Sequence, residues 1–142
     1  MPQIIALEGN PSSGKSTTIG ILYDGLLQPN GYNIVQDRKI RGSKDFFVIV
    51  EKKGKIIGVT TYGDTRAIIQ KKIDFFIGMN CSIIVIACRP SSRGDGTKEM
   101  IDNYAGFTKQ YLPKLSEPNA ARRPLEDTIV AQNLFTMLEN VL

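Results

Sequence analysis

Apolar and polar residues alternate along this chain in patterns that predict both strands and helices. Strands, typically short apolar runs, are predicted at residues 4–7, 32–35, 45–51, 55–62 and 82–87. Helices are predicted at residues 15–28, 65–79, 97–112 and 125–141. Polar or proline-rich stretches at residues 38–44, 89–96 and 115–124 predict loops.

The order of these elements is β-α-β-β-β-α-β-α-α. Strands that alternate with helices predict an α/β fold, here a three-layer α/β/α sandwich with a mainly parallel sheet. The short Lys-Lys-Gly connection after residue 51 predicts one antiparallel hairpin within it. The 142 residues predict a single domain, and ligands of such folds bind at the carboxyl ends of the parallel strands.

One eight-residue segment carries a specific chemical pattern. It begins after the first predicted strand and reads Gly9-Asn10-Pro11-Ser12-Ser13-Gly14-Lys15-Ser16, followed by Thr17. Glycine, four residues and Gly-Lys-Ser form the Walker A pattern of a phosphate-binding loop. A strand before it and a helix after it are the setting that this pattern requires.

The residue types of this segment fit a nucleoside triphosphate. Gly9 and Gly14 permit the backbone conformations that turn N–H groups towards phosphates, and the following helix presents its positive end. Lys15 is expected to reach the β and γ phosphates. The Ser16 hydroxyl is expected to ligate Mg²⁺, with Thr17 as a further polar contact. The sequence therefore predicts binding of Mg·ATP or a similar nucleotide.

The composition excludes several kinds of catalytic and metal site. The chain contains no histidine, which excludes Ser-His triads and histidine-ligated metals. Cys81 and Cys88 are expected to be buried free thiols. No apolar run is long enough to span a membrane, and a strand begins close to Met1, so a cytoplasmic protein without a signal peptide is expected. The net charge of +4 is scattered; it is compatible with nucleic acid, but no recognition motif supports that partner.

Two aspartates are candidates for work beside the phosphates. Asp64 follows a predicted strand and is the first candidate for the carboxylate that holds a Mg²⁺-bound water near Ser16; capping of the next helix is its other expected role, and the two are compatible. Asp37 is the second candidate, to orient an acceptor or a water. Glu51 lies beside the hairpin turn at the opposite edge and is excluded.

Arginines are candidates for charge neutralisation. Arg89 follows the strand predicted at residues 82–87 and is expected at the same edge. Its guanidinium would neutralise a transferring phosphate or stack on an adenine ring. Arg38, Arg41 and Arg66 compete for this role.

The chain is identified by this loop as a member of the P-loop NTPase superfamily. Residues 4–38 most resemble the opening of small nucleoside and nucleotide kinases such as thymidylate kinase, through Ile-Ile-Ala-Leu-Glu-Gly, Ser-Gly-Lys-Ser-Thr-Thr and Gly-Tyr-Asn-Ile-Val. The resemblance implies phosphate binding by residues 9–17. The arginine-rich lid and acceptor segment of those kinases are missing, and the hairpin at residues 45–62 is more similar to small GTPases and bacterial ATPases.

Base selectivity follows from the strand at residues 82–87. A GTPase is expected to carry Asn-Lys-x-Asp after such a strand, whereas this chain reads Ala-Cys-Arg-Pro. Adenine is therefore favoured over guanine, or base selectivity is weak.

Three functions remain open at this stage. The first is a small protein that binds Mg·ATP and hydrolyses it slowly, with a protein partner or a second subunit completing the site. The second is a minimal nucleotide or small-molecule kinase, in which Asp37 receives the acceptor proton and Arg89 or Arg93 steadies the transferred group. The third is a non-enzymatic module whose bound nucleotide controls partner binding.

Overall fold

A six-stranded sheet forms the centre of the computed structural model, which describes residues 2–11, 13–39, 45–63, 65–90 and 96–142. Its strands are β1 (Gln3–Glu8), β2 (Asn33–Lys39), β3 (Phe46–Lys52), β4 (Lys55–Thr60), β5 (Ile83–Cys88) and β6 (Thr108–Pro113). Its α-helices are α1 (Lys15–Ile21), α2 (Arg66–Gly78), α3 (Thr97–Asp102) and α4 (Arg123–Asn140). A π-helical segment, Leu22–Leu27, extends α1, and a 3₁₀ turn, Ala120–Arg122, precedes α4.

The order of strands in the sheet is β2-β3-β4-β5-β1-β6. β1 pairs in parallel with β5 and with β6, and β4 pairs in parallel with β5. β3 pairs antiparallel with both β2 and β4, so among the described strands it alone runs against the others. The predicted α/β class, the mainly parallel sheet and the antiparallel hairpin are confirmed.

The hairpin between β3 and β4 has consequences for the edge where β1 ends. Its turn places Lys53 and Gly54 at φ values of 54° and 76°, the left-handed conformation that suits a two-residue connection. Because β3 runs against its neighbours, the start of β3 lies at the same edge of the sheet as the carboxyl ends of β4, β5 and β1. Residues just before β3 are therefore brought towards the loop that follows β1.

Two apolar cores lie on opposite faces of the sheet because successive side chains of a strand alternate between faces. Ile5 and Leu7 of β1 belong to the core that includes Leu134 of α4, on the face that α1 also covers. Ile4 belongs to the other core, with Ile73 of α2. The sheet therefore has helices on both faces, and β1 is buried between them.

The prediction of a single helix at residues 97–112 is wrong. The chain forms the short helix α3, turns at Gly106 with φ of +83°, and continues as the edge strand β6. Pairing with β1 over six residues stabilises this strand, and its alternation sends Tyr111 and Leu112 to opposite cores. Proline at residue 113 therefore ends a strand, and the residues after it reach the same sheet edge as the loop after β1.

Two smaller differences concern the first half of the chain. β2 continues to Lys39, beyond the end predicted at residue 35, so Arg38 lies in a strand and not in a loop. Residues 40–44 of the predicted loop lie outside the described residues. Within the described part of the chain, no helix has the length and apolar character needed to cross a membrane.

Candidate functional site

The loop at residues 9–14 connects the end of β1 to the start of α1. Neighbouring strand ends hold it on both sides: Gly9 N–H donates to the Cys88 carbonyl (3.0 Å), and Lys114 N–H donates to the Glu8 carbonyl (2.7 Å). Gly14 adopts φ of +94° at the helix start, a conformation that favours glycine. The loop thus lies at the carboxyl edge of a central strand, where ligands of open α/β sheets bind.

Lys15 is buried, with 8% of its surface exposed, and its side chain folds back into the loop. Its ammonium donates to the carbonyl oxygens of Gly9 and Asn10, the latter at 3.3 Å. The ammonium therefore lies within the loop, close to the backbone of residues 9 and 10.

Ser13 adds a second polar group to the loop. It is 5% exposed, and its hydroxyl oxygen has no hydrogen-bond partner among the described residues. A buried hydroxyl without a partner costs roughly 1–3 kcal/mol. A hydrogen bond from this hydroxyl to a ligand oxygen would therefore also remove that cost, which would add to the free energy of binding. Ser12, the residue before it, lies outside the described residues.

The two glycines of the loop lie directly against other elements. A Cβ atom on Gly9 would meet the Lys114 carbonyl oxygen at 2.6 Å and the Ser13 hydroxyl at 2.5 Å. A Cβ atom on Gly14 would meet Oδ1 of Asp127 at 2.7 Å. The segment after β6 and the first turns of α4 thus form the surface on which the loop rests.

A buried ion pair joins these two supporting elements. Nζ of Lys114 lies 3.0 Å from Oδ1 of Asp127, with the side chains 1% and 9% exposed. The same ammonium donates to the Leu115 carbonyl at 3.0 Å. Sequence analysis missed this pair, because it becomes visible only once residues 108–113 are recognised as a strand that ends beside β1.

Among the described residues, Asp45 places a carboxylate next to Ser16. The Ser16 hydroxyl donates to Oδ1 of Asp45 at 3.1 Å, and the Thr61 hydroxyl donates to the same oxygen at 3.0 Å. Thr61 in turn accepts the Phe46 N–H at 2.9 Å. Sequence analysis missed Asp45 as a site residue, although the predicted antiparallel hairpin already implied that the start of its strand faces this edge.

Asp64, the carboxylate predicted for this role, lies outside the described residues, as do Arg41 and Arg93. Residues 61–63, which precede Asp64 and follow the end of β4, are described. A Cβ atom on Gly63 would lie 2.1 Å from the Ala87 carbonyl oxygen, so the backbone here packs closely on β5.

Asp37 and Arg89 occupy different surroundings. Asp37 lies in the edge strand β2 and accepts a hydrogen bond from the Tyr23 hydroxyl at 3.3 Å. Tyr23 belongs to the π-helical segment that follows α1. Arg89 directly follows β5, and its backbone N–H donates to the Thr97 hydroxyl at 2.9 Å. Arg89 is the residue after Cys88, whose carbonyl accepts a hydrogen bond from Gly9 of the loop. Arg66 is the exposed first residue of α2.

Glu8 supplies a charge at the start of the loop, and it is already paired. Nζ of Lys98 lies 3.1 Å from Oε1 of Glu8 and 4.7 Å from the centre of the Tyr111 ring. The hydrogen bond to Glu8 raises the pKa of Lys98 above its usual value. This pair connects α3 to the end of β1.

Cavities lined by described residues lie on both sides of the loop. One of about 410 Å³ lies beside Gly14, and its lining includes Thr17, Glu117 and Arg123. The other, of about 400 Å³, lies beside Gly9, and its lining includes Glu8, Pro90 and Ser116. Both volumes fall within the range of about 300–1,000 Å³ that is usual for small-ligand sites.

Hydroxyl and carboxylate oxygens, the donors that Mg²⁺ prefers, are present at Ser16, Asp45 and Thr61. Among the residues that the structure describes, no group of three cysteine, aspartate or glutamate side chains could hold a metal ion by itself. Oxygens of this kind are ligands that Mg²⁺ takes together with phosphate and water.

Both cysteines are free and buried, as predicted. Burial raises the pKa of Cys81 to about 12, and burial, with a smaller contribution from Glu8, does the same for Cys88. Neither thiol has the electropositive, accessible setting of a reactive cysteine.

We expect both thiols of the native protein to react with a thiol reagent such as DTNB far more slowly than in denaturant, because the thiolate is the reacting form. Above pH of about 9 the unfolded chain releases these protons while the folded chain retains them up to about 12, so the free energy of unfolding should fall as the pH rises through that range. Urea titrations of the wild type and a Cys81→Ala/Cys88→Ala protein measure this slope. Fast labelling of the native protein would contradict the burial.

No protein-family model, curated protein sequence or solved structure matches this chain significantly. Any assignment of function therefore depends on the residues of the loop and on their surroundings.

Proposed function

We propose that this chain binds Mg·ATP through the loop at residues 9–17 and hydrolyses it slowly or with stimulation by a partner. The observation that supports this most is the position of Lys15. Its ammonium lies inside a loop bounded by Gly9 and Gly14, at the carboxyl edge of a buried parallel strand. Together with the Walker A spacing, this favours phosphate over other anions.

Binding would exchange one set of contacts for another. The Lys15 ammonium now donates to neutral carbonyl oxygens of Gly9 and Asn10. When the acceptor is a β or γ phosphate, attraction between opposite charges adds to the hydrogen bond, so a phosphate would compete well with these carbonyl oxygens for the ammonium. The Ser13 hydroxyl, which has no partner among the residues described, and the N–H groups at the start of α1 would add further donors.

The cavity of about 410 Å³ beside Gly14 is the proposed position of the ribose and base. Its lining includes Ser13 and Gly14 of the loop, together with Thr17 and Arg123. The Arg123 guanidinium is held by a hydrogen bond to the Glu117 carbonyl at 2.8 Å, which places a planar cation on the cavity wall. Such a group stacks on a purine without selecting strongly between adenine and guanine.

Hydrolysis is expected to be slow in the isolated chain. Attack of water on the γ phosphate needs cations that take up the developing charge. Lys15 lies in the loop, and Arg89 follows the strand beside it. An arginine from a partner protein or from a second copy of this chain would complete the charge, and stimulation by such a partner is part of the proposal.

A small-molecule kinase is the second candidate, and the cavity of about 400 Å³ on the other side of the loop favours it. This cavity has room for an acceptor next to Gly9 and Asn10. The lining of this cavity includes the carboxylate of Glu8. Asp37, the residue predicted to receive the acceptor proton, contacts Tyr23 instead. A kinase would convert ATP to ADP only with an acceptor present, whereas a hydrolase would release inorganic phosphate without one.

Lys15→Ala should weaken Mg·ATP binding between about ten- and a hundredfold, because hydrogen bonds to charged groups contribute about 1.5–3 kcal/mol each. Calorimetric titration of the wild type and of Lys15→Ala with Mg·ATP and Mg·GTP measures the change. Lys71→Ala removes the same charge from an exposed position on α2 and is the matched control, expected to bind normally.

The same titrations, together with a phosphate-release assay, separate the candidate functions. No binding of either nucleotide by the wild type, or equal binding by wild type and Lys15→Ala, would contradict the proposal. Tight binding without phosphate release under any condition would instead favour a non-enzymatic module whose nucleotide controls partner binding.

A further inference from the structure

We propose that Asp45 is the carboxylate that faces the magnesium ion of the bound nucleotide, a role for which the sequence pointed to Asp64. This inference rests on the proposed function and names the metal-side partner of Ser16. Asp45 lies just before the reversed strand β3, so the role would come from a strand that runs against the rest of the sheet.

The contact with Ser16 is the first observation that supports it. Ser16 is the hydroxyl of the loop that the Walker A pattern assigns to Mg²⁺. In the structure that hydroxyl donates to Oδ1 of Asp45 at 3.1 Å. A carboxylate at this distance from the serine lies within reach of an ion bound there, either directly or through one of the waters that Mg²⁺ retains.

The support from Thr61 is the second observation. Thr61 is 4% exposed, and it uses its hydroxyl both as acceptor of the Phe46 N–H and as donor to Oδ1 of Asp45. The Thr61 hydroxyl proton has the Asp45 carboxylate at 3.0 Å and the Phe46 carbonyl at 3.4 Å as acceptors, and the carboxylate is both nearer and charged. Thr61 is therefore a positioning residue that holds Asp45 against Ser16 before any ligand arrives.

The position of the Asp45 charge beside the loop is the third observation. Asp45 is half-buried, whereas Thr61 behind it is buried, so the carboxylate lies between a buried hydroxyl and the loop. A carboxylate near bound phosphates repels them unless a cation lies between the two. Asp45 is therefore expected to lower the affinity for ATP alone and to raise the affinity for Mg·ATP.

Asp45→Asn tests this coupling, because the amide keeps the shape of the side chain and an oxygen for Ser16 and Thr61. The affinity for ATP is measured by calorimetry with Mg²⁺ and with EDTA, and binding of Mn²⁺ with ATP is measured by electron paramagnetic resonance. We expect the gain in affinity on adding Mg²⁺ to shrink by about tenfold, as for other groups that orient a metal. Affinity in EDTA should stay the same or rise.

Three further variants keep the result interpretable. Glu51→Gln removes a carboxylate at the opposite end of the same strand and should leave the Mg²⁺ gain unchanged. Asp45→Ser removes the carboxylate but keeps a polar group for Thr61, and it gives the same measurement if the amide variant fails to fold. Asp64→Asn tests the aspartate favoured by the sequence.

Each outcome bears on one statement. Loss of the Mg²⁺ gain in Asp45→Asn, with the gain retained in Asp64→Asn, supports the inference. Retention in Asp45→Asn overturns it, and loss in Asp64→Asn alone would transfer the role to that residue. If the wild type binds no ATP with Mg²⁺ or with EDTA, the proposed function itself fails, and the inference fails with it.

Discussion

Asp127→Ala is expected to lower the free energy of unfolding by about 3–5 kcal/mol, as is usual when one partner of a buried ion pair is removed. The substitution would leave the Lys114 ammonium, which lies in a residue that is 2% exposed, without its counter-charge. Within the described part of the chain, the Leu115 carbonyl is its remaining hydrogen-bond acceptor, and it carries no charge. Urea denaturation followed by circular dichroism measures the change.

Two control variants distinguish charge burial from simple loss of packing. Lys114→Met/Asp127→Leu removes both charges and should recover much of the stability, because apolar residues often replace a buried pair without loss. Lys98→Ala breaks the more exposed Lys98–Glu8 pair, whose side chains are 27% and 18% exposed, and should cost less than about 1 kcal/mol. A loss for Asp127→Ala as small as that for Lys98→Ala would contradict the importance of the buried pair.

Gly14→Ala is expected to destabilise the fold by at least about 2 kcal/mol and to weaken nucleotide binding together with it. Two effects combine at this position. The φ of +94° strains any residue with a Cβ atom, and that atom would lie 2.7 Å from Oδ1 of Asp127. Relief of the contact requires movement of the loop or of the carboxylate that neutralises Lys114, so the loop loses its support.

Gly20→Ala is the matched control for this variant. Gly20 lies in α1, where a Cβ atom would meet no neighbour within 4 Å, and alanine there should stabilise the helix by about 0.5–1 kcal/mol. Thermal denaturation and Mg·ATP titration of both variants give the comparison. Equal stability of Gly14→Ala and Gly20→Ala would mean that the loop is not seated against α4 as described.

The loop and its setting were predictable because every signal for them is local. The glycines and the lysine lie within eight residues, and the apolar run before them and the helix after them are adjacent in the chain. The hairpin was predictable for the same reason, since Lys53 and Gly54 lie between two clear strand patterns. Asp45 could have been found from that hairpin, because an antiparallel strand begins where its neighbour ends.

β6 was not predictable from its own residues. Its stability comes from pairing with β1, which is about a hundred residues away in the chain, and much of its surface is half-exposed, so its apolar pattern is weak. The helix propensity of the preceding residues was therefore extended too far. That error also hid the Lys114–Asp127 pair, because Lys114 reaches the loop only as the residue that follows this strand.

The sequence by itself determined the α/β class and the position of the glycine loop, and it supplied the residue types that we propose to bind a phosphate, because periodicity and short motifs are properties of neighbouring residues. Only the tertiary structure decided which carboxylate faces Ser16, what supports the loop and where cavities lie beside it. Those features depend on strand direction and on contacts between distant segments, such as Asp45 with Ser16 and Asp127 with Gly14. Such contacts form when buried strands pair and helices cover them, and residue spacing along the chain does not encode them.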